Sequence, residues 1–319
     1  MIKKFRILDM SNVPFIREDF KVFEEIAVVS HETPDQEKLK RMIRGYDAYY
    51  CSLELQVTRE IIDEARDLKA IVTASTGTDH IDVGYAEEKG IKIISLKNDY
   101  DLLKGITSTA ELAFGLLLAA VRKIPWSFDA AKAGIWGRDK FRGMQLKGKT
   151  FGILGYGRLG EIAAEYAKAF RMKVIACDLR KFESEDVKQV DFETLLRESD
   201  IISIHIHLTK ENKKLINKRA FSLMKQGVVL VNTSRGAVID EEAFLEALKS
   251  GRVGAAGIDI IEGEWSDDIS SHPLIKYSRE NQNLVITPHI GGITFEAQKT
   301  AYSHAIKKLY EYLLQIKSK

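Results

Sequence analysis

The sequence is poor in cysteine. Two thiols, Cys51 and Cys177, in 319 residues are too few for a disulfide framework. Proline is scarce as well, with five in the chain, and charges of both signs are interspersed, which argues against extended disordered tracts. Neither sign of charge dominates. Lys plus Arg number 48 against 46 for Asp plus Glu, for a formal net charge of +2, and this is not the one-sided basic surface of a nucleic-acid binder. Long apolar runs are missing: the most apolar stretch, Ala110–Val121, contains Glu111 and falls short of the roughly 20 residues of a membrane-spanning helix. Met1-Ile2-Lys3-Lys4-Phe5 leads directly into a strand-like segment with no apolar signal core. These absences lead us to expect a cytoplasmic protein with neither nucleic-acid nor membrane partners. At roughly 150 residues per domain, its length suits about two domains.

What is present is alternation. Short β-branched runs exchange with amphipathic helical stretches, the pattern of βαβ units around parallel sheets. In the first third the strand candidates are Phe5–Leu8, Ile26–Ser30, Ala48–Cys51, Ile71–Ala74 and Ile91–Ile94, with helices at Asp35–Ile43 and Thr58–Ala65. Six more strands follow: Thr150–Leu154, Lys173–Cys177, Ile201–His205, Val228–Val231, Ala255–Ile258 and Leu284–Thr287. They suffice for a complete doubly wound sheet. The segment Ser108–Arg122 is apolar on nearly all faces, which predicts a buried helix. A last helix, about Phe295–Gln315, carries one apolar stripe through Ala301, Ala305, Ile306, Leu309 and Leu313.

Lys149–Leu154 reads as a strand, Gly155-Tyr156-Gly157-Arg158-Leu159-Gly160 follows it, and a helix over Glu161–Phe170 comes next. Each glycine has its own reason: Gly155 for a tight turn, Gly157 for close approach to a pyrophosphate, and Gly160 for helix–strand packing. The helix start then offers free N–H groups to phosphate. Strand, glycines and helix in that order are the context a dinucleotide fingerprint requires. Asp178 lies 18 residues beyond Gly160, at the distance from which a carboxylate takes the ribose hydroxyls of NAD. It would repel the 2′-phosphate of NADP, whereas the nearby Arg180 would accept it, so NAD is the expected cofactor with the strictness of the preference open.

Three later segments follow strands of the same sheet: Asn232-Thr233-Ser234-Arg235-Gly236, Asp259–Trp265, and Thr287-Pro288-His289-Ile290-Gly291-Gly292. They bring a guanidinium, carboxylates and an imidazole to the carboxyl edge, where such sheets bind ligands. Taken singly, Arg235, Glu264 and His289 would more often be structural; the joint pattern is what points to chemistry.

With these motifs the chain resembles the D-isomer-specific 2-hydroxyacid dehydrogenases. The resemblance runs from about Leu68 to Gly292 through Gly77-Thr78-Asp79-His80-Ile81-Asp82, Thr109-Ala110-Glu111, Gly148-Lys149-Thr150, the glycine fingerprint, Asn232–Gly236, Asp259–Glu264 and Thr287-Pro288-His289. It implies a Rossmann NAD-binding domain, residues 108–292, inserted into a flavodoxin-like substrate domain formed by residues 1–107 and 293–319. It implies that His289 exchanges the proton, that Glu264 orients it, and that Arg235 binds the carboxylate of a 2-keto or 2-hydroxy acid. Glu262 competes for the orienting role; the family's spacing of five residues after Asp259 favours Glu264. Ser75, Thr76 and Gly77 match the substrate-carboxylate loop. Arg158, Leu159, Thr233, Ser234, Asp259 and Gly291 join Gly155, Gly157, Gly160 and Asp178 as cofactor contacts. A homodimer is implied, with Trp136 either in the segment that joins subunits or in the core of its own chain.

Several features depart from the family or stay open. The Lys97–Ile106 loop is longer and more polar, Trp265 replaces a usual proline, and His207 stands where proline is common. His205-Ile206-His207 lacks a further ligand for a metal site, so no metal is expected. Cys51 is either a pocket residue or a small buried hydrophobe. Two rival functions remain: an NAD-sensing binding protein of the same fold, and a formate dehydrogenase, which pairs its histidine with glutamine rather than with glutamate.

Overall fold

The β-branched runs become strands of two parallel sheets in a computed structural model that describes residues 4–266 and 268–318. The chain divides into one unit of Met1–Ile106 with Thr294–Lys319 and another of Thr107–Ile293.

In the first unit, β1 (Phe5–Asp9), β2 (Ala27–His31), β3 (Ala48–Tyr50), β4 (Ala70–Val72) and β5 (Lys92–Ile94) lie in the order β2-β1-β3-β4-β5, all parallel. This is the flavodoxin-like order. Its helices are α1 (Gln36–Met42), α2 (Arg59–Glu64), α3 (Val83–Glu88) and α4 (Tyr100–Lys104). Side chains alternate across the sheet with period two. Leu8, Tyr49 and Ile71 join one core with Leu39 and Ile61, while Ile7, Ala48, Tyr50, Ala70 and Val72 join another with Phe20 and Phe23. Asp35 and Asp82 start α1 and α3 by accepting the N–H groups of Lys38 and Tyr85, the expected chemistry for orphan N-terminal donors.

The second unit opens with α5 (Ser108–Val121) and α6 (Ile124–Lys132). It continues through β6 (Thr150–Leu154), α7 (Arg158–Ala169), β7 (Lys173–Cys177), β8 (Lys188–Gln189), α8 (Phe192–Glu198), β9 (Ile201–Ile204) and α9 (Lys218–Leu223). It ends with β10 (Val228–Asn232), α10 (Glu241–Lys249), β11 (Val253–Ile258), α11 (Pro273–Glu280) and β12 (Leu284–Ile286). The sheet order is β12-β11-β10-β9-β6-β7-β8, again parallel throughout. That is the Rossmann order with one strand added, and the order reverses between β6 and β9. The seventh strand, β8, escaped the sequence reading because two polar residues carry no period. Helix α7 starts at Arg158, three residues before the expected Glu161.

By length and composition alone the 22 residues Tyr100–Val121 would suffice for a membrane span. They form two helices interrupted at Gly105–Thr107, and Ala113, Phe114, Leu117 and Val121 of the second are core residues beside Phe151 and Val229. The last helix, α12 (Phe295–Lys317), returns to the first unit and buries Ala301, Ala305, Ile306, Leu309 and Leu313 against the core that contains Tyr50 and Val72.

Candidate active site

At the end of β6 the chain turns sharply. Gly155 has φ +96°, and a Cβ there would lie 2.7 Å from the carbonyl oxygen of His205, while one on Gly160 would lie 2.2 Å from that of Gly155. Only glycine satisfies both contacts. Gly157 is different. The nearest atom to a Cβ there is Arg180 Nη2 at 3.6 Å, and Gly157 caps α7 with no side-chain hydrogen bond. No side chain of the capping residue therefore covers the N–H groups at the start of α7, and the nearest group to Gly157 is a guanidinium, a setting that suits a dinucleotide pyrophosphate. Arg158 and Leu159, both half-buried, form the first turn. Asp178, next after β7, accepts the N–H of Tyr156 at 2.8 Å and that of Arg180 at 2.8 Å, with Arg180 Nε at 3.6 Å. Its carboxylate is thus fixed beside the glycine turn with lone pairs to spare. After β10, the Thr233 hydroxyl oxygen is buried and has no partner among the described residues. An unsatisfied hydroxyl of that kind at a ligand edge fits a polar group supplied by a bound molecule.

The imidazole, guanidinium and carboxylates come from three neighbouring loops. Asn232, fully buried at the end of β10, donates to the Arg235 carbonyl at 3.0 Å and accepts the Ser234 N–H and hydroxyl at 3.0 and 2.8 Å. This shapes the loop that presents Arg235, whose own Nη1 donates to the Ser234 carbonyl at 2.8 Å. A Cβ on the next residue, Gly236, would lie 2.6 Å from the Glu262 nitrogen, so the Arg235 loop and the 261–264 loop pack backbone to backbone. His289 Nδ1 meets Glu264 Oε1 at 2.8 Å. Glu262 instead turns to Lys213, at 3.5 Å. His289 holds a left-handed backbone, φ +55°, of the sort that surrounding structure must enforce.

The enforcing residue is Asp259, only 2% exposed. One of its carboxylate oxygens accepts the Thr287 hydroxyl at 2.5 Å and the Ile290 N–H at 2.9 Å, and the other accepts the Gly291 N–H at 2.8 Å. Its backbone carbonyl accepts the His289 N–H at 2.8 Å. The sequence places Asp259 among the expected cofactor contacts; in the structure its carboxylate scaffolds the histidine loop. Thr109 of α5 closes that loop by donating to the Gly291 carbonyl at 3.1 Å.

The remaining positions fall as follows. In the first unit, Ser75 follows β4 and donates to the Gly77 carbonyl, and Thr76 lies between them, half-buried. Cys51 is buried, 2.9 Å from the Val72 carbonyl and 3.5 Å from His80 Nε2, and burial pushes its thiol up to about 12. Half of the Lys97–Ile106 loop is α4, and Lys308 ties the approach to that helix down through the Ser95 carbonyl and Asp99, at 2.7 and 2.8 Å. In the second unit, His205 bonds Ser203 at 2.8 Å and burial pushes its imidazole down to about 4, while His207 is exposed. No group of three potential ligands among the described residues is arranged for a metal ion. Trp265 stacks on His289 with ring centroids 6.0 Å apart and planes 24° off parallel. Of the two readings of Trp136 the core is excluded, because the ring is 86% exposed.

A glycine turn at the switch point of a doubly wound sheet, with a carboxylate after the second strand, defines a dinucleotide-binding α/β protein. Comparison with known proteins makes this specific. Residues 114–291 match the family model for the NAD binding domain of D-isomer specific 2-hydroxyacid dehydrogenases. The chain is 40% identical over 291 residues to a hydroxypyruvate reductase of Thermotoga maritima, covering 91% of this chain and 92% of that one. It is 41% identical over 267 residues to a D-3-phosphoglycerate dehydrogenase of Archaeoglobus fulgidus, covering 82% of this chain but 49% of that longer protein. Among solved structures, the Aquifex aeolicus D-lactate dehydrogenase complexed with NAD and lactic acid superposes with a TM-score of 0.83 at 28% identity, covering 97% of this chain and 96% of that one. The chain belongs to the D-isomer-specific 2-hydroxyacid dehydrogenase family and is an NAD-dependent oxidoreductase of that type.

Proposed function

We propose that this enzyme interconverts a 2-keto acid and the D-2-hydroxy acid, with His289 exchanging the proton, Glu264 orienting His289, and Arg235 binding the substrate carboxylate. The observation that carries this reading is the 2.8 Å bond from His289 Nδ1 to Glu264. A carboxylate on Nδ1 fixes the tautomer, so that Nε2 faces the reacting oxygen. When bound, NADH supplies the hydride for C2. Carbonyl reduction also needs a proton on the oxygen, and His289 Nε2 gives it, with Glu264 remaining ionised to stabilise the imidazolium. Arg235 offers a planar fork to the carboxylate and positive charge where the alkoxide develops. In oxidation the two transfers run backwards, His289 taking the hydroxyl proton as the hydride leaves C2, while Arg235 and Glu264 keep their roles.

Gly155, Gly157, Arg158, Leu159, Gly160, Asp178, Thr233, Ser234, Asp259 and Gly291 are assigned to the cofactor, and Ser75, Thr76 and Gly77 to the substrate carboxylate. Asp178 gives a preference for NAD over NADP. Glutamate rather than glutamine beside His289 speaks against formate oxidation. The relatives' names put hydroxypyruvate and D-lactate in the substrate class to be tested. The quaternary state we propose is a homodimer. Ile124, Phe128, Ile135 and Trp136 project 50%, 61%, 52% and 86% exposed from one segment, and α6 has no buried residue; exposed apolar surface of this kind suits a second copy. A cytoplasmic setting without nucleic-acid or membrane partners agrees with two free thiols and balanced charge.

The test is NADH oxidation at 340 nm with hydroxypyruvate, glyoxylate and pyruvate, and NAD reduction with formate. Turnover of at least one keto acid, lowered 100-fold or more by His289→Ala with little change in NADH affinity, is expected. NADH binding without turnover of any keto acid would replace the enzyme with an NAD-sensing protein, and formate-dependent reduction would replace the substrate.

A further inference from the structure

The 261–264 loop, which carries Glu264, is anchored from outside the reacting groups. Glu241, first residue of α10, accepts the Glu262 N–H on Oε1 at 2.7 Å. Its other oxygen lies 3.0 Å from His272 Nε2. His272 in turn caps α11, its Nδ1 accepting the Leu274 N–H at 3.2 Å. Because Nδ1 accepts, the neutral ring carries its hydrogen on Nε2 and donates it to Glu241. Both side chains are largely buried, at 19% and 14% exposure. Burial pushes the Glu241 carboxyl above its ordinary range, against the pull of the Glu262 N–H and of His272.

The peptide that Glu241 holds is the one on which Gly236 packs, 2.6 Å from the Glu262 nitrogen to a Cβ built there. Arg235 precedes Gly236, and Glu264 stands two residues beyond Glu262. A single peptide unit therefore registers the guanidinium loop against the carboxylate that meets His289. We infer that Glu241, braced by His272, is a positioning residue for the reaction: it fixes the Ile261–Glu262 peptide and through it sets Glu264 against His289. This inference rests on the acid–base reading of Glu264 and His289. Supporting groups of this kind matter because displacements of about 1 Å at reacting groups can cost about 100-fold in rate.

The experiment is steady-state kinetics of the intact enzyme with NADH and hydroxypyruvate, or the best keto acid from the panel. Glu241→Ala is expected to lower kcat about tenfold or more while KM for NADH stays within twofold. Glu241→Gln, whose amide oxygen still accepts the Glu262 N–H, should recover kcat to within about fivefold of the parent. In a Glu264→Gln background, Glu241→Ala should cost less than a further twofold, since its effect passes through the residue already altered. If Glu241→Ala does not fold, Glu241→Asp, one methylene too short to reach, takes its place with the same expectations. A kcat within twofold of the parent for the Ala or Asp variant overturns the inference, as does a loss that multiplies in full in the Glu264→Gln background. If Glu264→Gln itself leaves kcat unchanged, the acid–base reading has failed and this inference falls with it. If Glu264→Gln is slow but the Glu241 variants are not, only the positioning role is lost.

Discussion

Replacing Asp259 with alanine tests how the histidine loop is held. The carboxylate accepts the Thr287 hydroxyl and the Ile290 and Gly291 N–H groups, and the residue is only 2% exposed. A buried donor left without its charged partner costs about 1–3 kcal/mol. Gly291 is buried and takes the full penalty, whereas Ile290 is 37% exposed and recovers part of its loss from water. The total comes to about 3–5 kcal/mol, a large share of the 5–15 kcal/mol typical of a folded domain. His289, released from its φ of +55°, would relax toward a common conformation and lose its register with Glu264. All three tryptophans, Trp126, Trp136 and Trp265, lie in the second unit, so urea unfolding followed by tryptophan fluorescence reads this unit selectively. The expected result is a stability loss of about 3–5 kcal/mol with kcat down at least tenfold, and Asp259→Asn intermediate because one amide oxygen still accepts. A stability within 1 kcal/mol of the parent together with an unchanged kcat would refute the scaffold argument.

Three more outcomes are expected. Burial sets the folded His205 imidazole near 4, below the roughly 6.5 of an unfolded chain. The unfolded state therefore binds the extra proton, and stability is full above about pH 6.5 and declines toward pH 4; between pH 7 and 4.5 the loss is about 2–3 kcal/mol. Unfolding curves of His205→Gln should lack this share of the slope, and parallel curves for parent and variant would contradict it. The parent should prefer NADH to NADPH in kcat/KM, and Asp178→Ser should shrink that preference about tenfold, because the carboxylate no longer opposes a 2′-phosphate while Arg180 remains; equal kcat/KM values in the parent would overturn the assignment. Sedimentation at micromolar concentration should show a dimer that Trp136→Asp converts toward monomer, and a monomeric parent would remove the homodimer proposal.

Much of the molecule was legible because it is written in short-range patterns. Short β-branched runs announced eleven of the twelve strands among the described residues; β8, at Lys188–Gln189, had no such run to show. The turn at Gly155–Gly160 was readable because each glycine answers a local steric demand. The less legible parts were contacts across long sequence separations. That Glu264 rather than Glu262 meets His289 needed the family's spacing to suggest it, and the two glutamates point to different partners only once Gly236 has packed on the peptide between β11 and Glu264. Neither Glu241 nor His272 is distinctive in the sequence, because a glutamate at a helix start and a histidine before proline look like ordinary capping residues.

Backbone preference and side-chain period, which act over a few residues, determined from sequence alone that this chain forms two α/β units with a dinucleotide turn after one strand. Strand order, the left-handed turn at His289, the capture of the 287–291 loop by Asp259 and the anchoring of Glu262 by Glu241 were decided by tertiary structure. The physical reason is distance along the chain: Glu241 and Glu262 are 21 residues apart, Glu264 and His289 25, and Asp259 and Gly291 32. Only the assembled parallel sheet aligns the carboxyl ends of its strands and brings such groups within hydrogen-bond reach.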